Sequence, residues 1–100
     1  MEKQNYHEGG CLCGQVRYRT IGSPERAGVC HCRYCQLRAG SAFGTLVYFK
    51  EDNIEILEGY LNDYEFVTEM GKKWKNQFCS RCGTTILMHL EAWPGDIGVA

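Results

Sequence analysis

No run of apolar residues in this 100-residue chain approaches the ~18–20 that a membrane-spanning helix needs, so no such helix is expected. An excess of either charge is also missing: eleven Lys and Arg face twelve Asp and Glu, a net charge of −1. Duplex-binding domains usually carry a basic surplus, so its lack argues against nucleic acid as the partner. The first residues, Met-Glu-Lys-Gln-Asn-Tyr-His-Glu, hold no apolar segment of the secretory kind, which points to the cytoplasm. No repeat of fixed period, low-complexity tract, Ser-His-Asp grouping, phosphate-cradling glycine loop or paired-carboxylate motif is evident. Disorder is excluded as well, because two Trp, six Tyr and four Phe are too many aromatics for a chain without a core.

What stands out is seven cysteines in three tight clusters: Cys11 and Cys13, then Cys30, Cys32 and Cys35, then Cys79 and Cys82. An odd number leaves one thiol over from any complete disulfide framework, and cytosolic thiols are kept reduced. Cysteines one or two residues apart are poor disulfide partners for each other but converge easily on one metal ion. Zinc prefers thiolates in tetrahedral array, so zinc binding is the reading favoured over disulfides or inert core thiols. A domain this small also gains from a staple, and a structural zinc contributes on the order of 10 kcal/mol at neutral pH.

The clusters divide by their local grammar. Cys11-Leu12-Cys13-Gly14 and Cys79-Ser80-Arg81-Cys82-Gly83 both end in Cys-Gly, and glycine there permits positive φ and turns backbone N–H groups toward the sulfurs. Two such knuckles supply four thiolates, the closed shell of a structural zinc. Cys30, Cys32 and Cys35 supply three, which leaves one position open, as in a catalytic zinc. His31 lies between two proposed ligands, and three consecutive residues rarely converge on one tetrahedral ion, so it is read as a neighbour of the site. Three thiolates give Zn²⁺ a formal charge of −1 and make it a weak Lewis acid. Such a centre suits a thiol substrate, which the metal deprotonates, for attack on a carbon electrophile or the reverse cleavage.

The apolar pattern predicts a mainly antiparallel β fold with short loops. Strands are expected over 15–20, 43–49, 54–57, 60–68, 84–90 and 97–100, with Trp74–Phe78 leading into the third cluster. Residues 33–38 read as a short helical turn ended by Gly40, 21–28 as a turn or loop, and Pro94-Gly95 as a turn. Residues 1–8 read as a flexible lead-in and 9–100 as one zinc-binding domain.

Three linked motifs, Gly9-Gly10-Cys11-Leu12-Cys13-Gly14-Gln15-Val16-Arg17-Tyr18, Cys30-His31-Cys32-Arg33-Tyr34-Cys35-Gln36 with Gly40-Ser41-Ala42-Phe43, and Phe78-Cys79-Ser80-Arg81-Cys82-Gly83-Thr84, resemble the glutathione-dependent formaldehyde-activating enzyme family, which also includes centromere protein V. The resemblance runs from about residue 8 to 90. It implies a β-tent fold of the Mss4-like kind, a structural zinc on Cys11, Cys13, Cys79 and Cys82, and a second zinc on Cys30, Cys32 and Cys35 as the catalytic group. It also implies a carbon–sulfur lyase-type reaction in which glutathione adds to formaldehyde to give S-hydroxymethylglutathione. The implied partners are therefore a glutathione-like thiol and a small aldehyde. Relatives continue past the equivalent of Ala100 with another strand, so the sheet is expected to be incomplete here, or covered at its edge by a second subunit in a homodimer.

Around the open site, Arg33 and Gln36 are candidate substrate-binding residues. Lys72, Lys73, Lys75 and Arg81 beside Trp74 form a basic stretch, read as a solvated loop or as an anchor for the carboxylates of an acidic thiol. His89 reads as a satisfied, half-buried histidine in an apolar strand, and Trp74, Trp93, Phe43 and Phe78 as core or pocket wall. The competing function is a zinc-stabilised binding module without turnover. A pure scaffold has no use for an open three-thiolate centre.

Overall fold

Nine strands form among residues 5–100, the residues that the computed structural model describes. They are β1 (Tyr6–Gly10), β2 (Arg17–Ile21), β3 (Arg26–Cys30), β4 (Gly44–Lys50), β5 (Ile54–Glu58), β6 (Leu61–Val67), β7 (Lys73–Cys79), β8 (Thr85–Leu90) and β9 (Asp96–Val99). One helix, α1 (Arg33–Ala39), follows β3. All pairings are antiparallel. Strands β1-β2-β5 make a three-stranded sheet, and β3-β4-β9-β8-β7-β6 a six-stranded one. The expected mainly antiparallel β fold with short loops is thus observed.

Strand β4 shows why two cores form. Side chains alternate across a strand, so Val47 and Phe49 lie on one face and Leu46 and Tyr48 on the other. Val47 and Phe49 join Val16, Ile86, Leu87 and Val99 in the core shared with the three-stranded sheet, to which Tyr18 and Ile54 contribute. Leu46 faces a second core of Cys35, Trp74 and Met88, with Tyr34, Phe66 and Leu90 packed against it. Each core holds one cysteine group: Cys11, Cys79 and Cys82 border the first, and Cys30, Cys32 and Cys35 the second.

Two expectations change. The lead-in over residues 1–8 is corrected at residues 6–8, which form strand β1 and pair Tyr6 with Ile21 through Glu8 with Arg19; residues 1–4 lie outside the described residues. The loop over 21–28 ends early, because Arg26–Cys30 is strand. Arg26-Ala27-Gly28 has little intrinsic β preference, and pairing with β4, Arg26 opposite Tyr48 and Cys30 opposite Gly44, imposes the conformation. β9 lies inside the six-stranded sheet between β4 and β8, so the edges of that sheet are β3 and β6.

Candidate metal centres

The four-cysteine group sits where two turns meet. Cys11 and Cys13 lie between β1 and β2, while Cys79 ends β7 and Cys82 lies between β7 and β8. Gly14 and Gly83 have φ of 83° and 79°, the positive values that the Cys-Gly pattern predicts. Each glycine N–H closes its turn, Gly14 onto the Cys11 carbonyl at 3.2 Å and Gly83 onto the Cys79 carbonyl at 3.0 Å. The turns then aim N–H groups at sulfur. Val16 N–H donates to Cys11 Sγ at 3.2 Å, and the N–H groups of Arg81 and Cys82 donate to Cys79 Sγ at 3.3 and 3.4 Å. Gln15 Nε2 donates to Ser80 Oγ at 3.1 Å and ties one turn to the other.

All four sulfurs lie within 4.8 Å of one another. Cys11 Sγ and Cys13 Sγ are 3.6 Å apart, and Cys13 Sγ and Cys79 Sγ 3.8 Å. A tetrahedral zinc with bonds of about 2.3 Å sets its sulfurs about 3.8 Å apart, so the donor set fits that ion. Thr84 adds support that the motif reading overlooks. Its Oγ1 accepts from Leu12 N–H at 3.2 Å, which directs its hydroxyl proton toward Cys82 Sγ, 3.1 Å away. That hydroxyl, followed by the Thr84 and Cys13 backbone, holds the Cys82 thiol down at about 5. The signal for it in the sequence is the Thr that follows Cys82-Gly83.

The three-cysteine group is built by the β3–α1 junction. Cys30 ends β3, Cys32 is the N-cap of α1, and Cys35 is in its first turn and fully buried. Cys32 Sγ takes the capping position that Ser or Asp usually fills and accepts from Cys35 N–H at 3.5 Å. The helix ends as expected at Gly40, whose φ of 64° lets its N–H reach the Gln36 carbonyl. Gly44 lets the helix approach the sheet, since a Cβ there would lie 3.1 Å from Cys35 Cβ.

The three sulfurs also lie within 4.8 Å of one another, and His31 is not in their group. Its ring instead packs against Phe43, centroids 5.6 Å apart. Burial pushes the Cys35 thiol up to about 12, and the neighbouring Cys30 and Cys32 thiols add to this. Burial also raises Cys32, but the Cys35 N–H and the other two thiols outweigh it, and the net shift is downward. Three adjacent thiols resist collective ionisation, and a bound cation removes that resistance, so this group too fits a thiophilic metal.

Of the two candidate substrate-binding residues, Arg33 is the exposed first residue of α1. Gln36 is also exposed, and its Nε2 donates to the Ala42 carbonyl at 3.0 Å, pinning the loop after the helix. The basic stretch is split: Lys73 and Lys75 lie on β7, and Lys75 pairs with Asp63 at 3.9 Å, while Arg81 belongs to a cysteine turn. His89 is partly buried, with Nε2 2.6 Å from Gln77 Oε1. Trp74 is core, Phe43 is exposed, and Trp93 lines a cavity.

That cavity, of about 270 Å³, was not evident from the sequence. Cys30 forms one wall, with Val29, Leu46, Trp93 and Tyr48 around it and Arg26 among its lining. Tyr48 is 1% exposed and its Oη makes no hydrogen bond among the described residues. A buried unsatisfied hydroxyl costs about 1–3 kcal/mol. Burial, and then the Cys35 charge, push the Tyr48 phenol up to about 12, so it keeps its proton.

Comparison with known proteins places these centres in context. A curated protein of Halomonas elongata (strain ATCC 33173 / DSM 2581 / NBRC 15536 / NCIMB 2198 / 1H9), named "Putative glutathione-dependent formaldehyde-activating enzyme", is 27% identical over 94 residues, covering 87% of this chain. The chain spans 58% of that relative's length. A crystal structure of a Rhodobacter sphaeroides protein superposes with a TM-score of 0.73 at 23% identity, over 93% of this chain and 83% of the other, and so shares the fold. Residues 6–100 match the family described as glutathione-dependent formaldehyde-activating enzyme. From that match over nearly the whole chain, the protein belongs to the glutathione-dependent formaldehyde-activating enzyme family.

Proposed function

We propose that this chain is a zinc-dependent carbon–sulfur lyase-type enzyme that joins a glutathione-like thiol to formaldehyde or another small aldehyde. One observation carries the reading. The sulfurs of Cys30, Cys32 and Cys35 converge within 4.8 Å with no fourth candidate ligand atom among the described residues, and Cys30 also walls a cavity. Cys30, Cys32 and Cys35 would hold zinc there, and such an ion would lower the pKa of a bound thiol and leave its sulfur nucleophilic.

The chain's own residues do the rest. Three anionic cysteines donate charge to the centre, which favours carrying a thiol over generating hydroxide. The Cys35 N–H steadies the charge on Cys32, and burial of Cys35 keeps water from one side of the group. Val29, Leu46 and Trp93 give the cavity apolar walls in which a small aldehyde replaces water. Arg33 and Gln36, exposed on the helix that carries Cys35, bind the polar body of the thiol substrate. The four-cysteine group holds a second, structural zinc that clasps the two sheets. A reducing cytoplasm keeps all seven thiols available for these roles.

In the reaction the sulfur electron pair forms the carbon–sulfur bond, and the carbonyl π pair moves to oxygen. That oxygen takes up one proton in place of the one the thiol released, giving an S-hydroxymethyl thioether. NMR exchange spectroscopy on glutathione and formaldehyde at equilibrium measures this directly. Protein should raise the exchange rate in proportion to its concentration, and Cys32→Ser should abolish the increase. A rate equal to the uncatalysed one, with no heat of glutathione binding, would favour the binding module without turnover.

A further inference from the structure

We propose that Cys32 and Cys35 form a reversible disulfide, through which the disulfide form of a glutathione-like thiol disarms the three-cysteine centre. The site rests on the geometry of these cysteines, and its place in regulation rests on the reading proposed above. Three observations carry it. Cys32 caps α1 and Cys35 lies in its first turn, with two residues between them. The Cys35 N–H donates to Cys32 Sγ at 3.5 Å, and the two sulfurs lie within 4.8 Å of each other. Cys32 is partly exposed, whereas Cys35 is fully buried.

Close spacing counts against a disulfide where the chain runs straight. Here the chain turns: Cys32 has extended backbone, with φ −68° and ψ 161°, and the helix begins at the next residue. The Cys32 side chain thereby folds back over the first turn, so closure needs side-chain rotation and no shift of α1 against the sheet. Cys30 is the poorer partner. It belongs to β3, so a bridge to Cys35 would tie strand to helix, and a bridge to Cys32 would span a single residue. Cys32-Arg33-Tyr34-Cys35 thus has the C-x-x-C spacing of a dithiol redox pair, with the accessible sulfur first and the buried one second. Cys79 and Cys82 share the spacing, but with Cys11 and Cys13 they make a set of four, which saturates a tetrahedral ion. The set of three has a side open to an incoming reagent. Exposure assigns the roles. The Cys32 sulfur attacks one sulfur of the incoming disulfide, and the other leaves as a thiolate. The Cys35 sulfur then attacks Cys32 Sγ in that mixed disulfide and displaces the second thiolate. Two cysteine thiolates are oxidised, one external disulfide is reduced to two thiolates, and the charge balances. Excess thiol runs the steps backwards. In the oxidised form Cys30 is the one thiolate left of the three, too few to hold a metal.

The test treats the zinc-loaded full chain with glutathione disulfide and maps the product. Trypsin cuts after Arg26, Arg33 and Arg38, which puts Cys30 and Cys32 on residues 27–33 and Cys35 on residues 34–38. The expected product links these two peptides, with zinc released from the three-cysteine centre and Cys11, Cys13, Cys79 and Cys82 still reduced. Fragmentation of the linked pair should place the bond at Cys32, and Cys30→Ser should still form it. Cys35→Ser should stall as a mixed disulfide of glutathione on Cys32. Glutathione–formaldehyde exchange should fall to the uncatalysed rate in the oxidised chain and return with reductant and zinc. A bond within 27–33, a bond from Cys30 to Cys35, or earlier oxidation of the four-cysteine group overturns the site. So does a chain that stays reduced in excess reagent, and if that chain still speeds exchange, the disulfide site falls alone. Disulfide formation in a chain that never speeds exchange upholds the site and overturns its regulatory role together with the parent reading. Exchange that survives complete oxidation overturns the regulatory role as well.

Discussion

Thr84 shows what one hydroxyl does at a thiolate centre. It accepts from Leu12 N–H and donates a hydrogen bond to Cys82 Sγ, linking both cysteine turns to one sulfur. Thr84→Val keeps the shape and removes the donor. Groups that support a ligand in this way typically govern metal affinity by about 10- to 100-fold, so chelator competition should find the four-cysteine site weakened to that extent. The three-cysteine site should be unchanged, and equal loss at both would contradict the assignment. His89 makes a prediction in pH. Burial, then the Lys75 charge, lowers its pKa below the ordinary 6.5. The unfolded chain therefore takes up the proton more readily, and this contribution to stability is fully present above pH 6.5. It is lost as pH falls through the lower folded value. An NMR titration should place the His89 midpoint below 6.5, and a midpoint above it would refute the burial argument. At this scale the cysteines and their glycines were legible, because a ligand and a positive φ each leave a residue-type signature. Tyr48 was not: a tyrosine in a β-rich run looks the same whether its hydroxyl is paired or orphaned.

Helix α1 and strand β4 form the frame of the three-cysteine centre, and their separation depends on Gly44. A side chain at this position meets Cys35 Cβ and the Cys35 carbonyl, 3.1 and 3.4 Å from a Cβ there. Gly44→Val should push the helix outward at a cost of about 1–3 kcal/mol, typical of overpacking. Zinc analysis should then show loss of metal from the three-cysteine group with the four-cysteine group still filled; retention of both would mean the spacing is not critical. Element identity was largely legible here. The helix over 33–38, its stop at Gly40 and most strands follow from period and turn chemistry. Strand β3 was hidden because Arg26-Ala27-Gly28 becomes strand only through its partner β4. Strand β1 was hidden because its first three residues are exposed and become strand through pairing with β2.

Across the whole molecule, the four-cysteine group joins the turn of the small sheet to the turn of the large one. The three-cysteine group lies on the other face of the large sheet, in a separate core. Loss of the first centre should therefore release one sheet from the other, while loss of the second leaves both sheets in place. Cluster spacing alone separated the two groups. What it left out was position along the sheet, since the placement of β9 between β4 and β8 depends on long-range pairing. The most direct test of this division is zinc content per chain with a thermal melt, for wild type, Cys32→Ser and Cys79→Ser. Serine at 32 preserves the helix cap while removing a soft ligand. The account predicts two zinc ions in wild type, one in Cys32→Ser with a nearly unchanged melting temperature, and collapse of the folded state in Cys79→Ser. Equal destabilisation by both substitutions, or a single zinc in wild type, would contradict it.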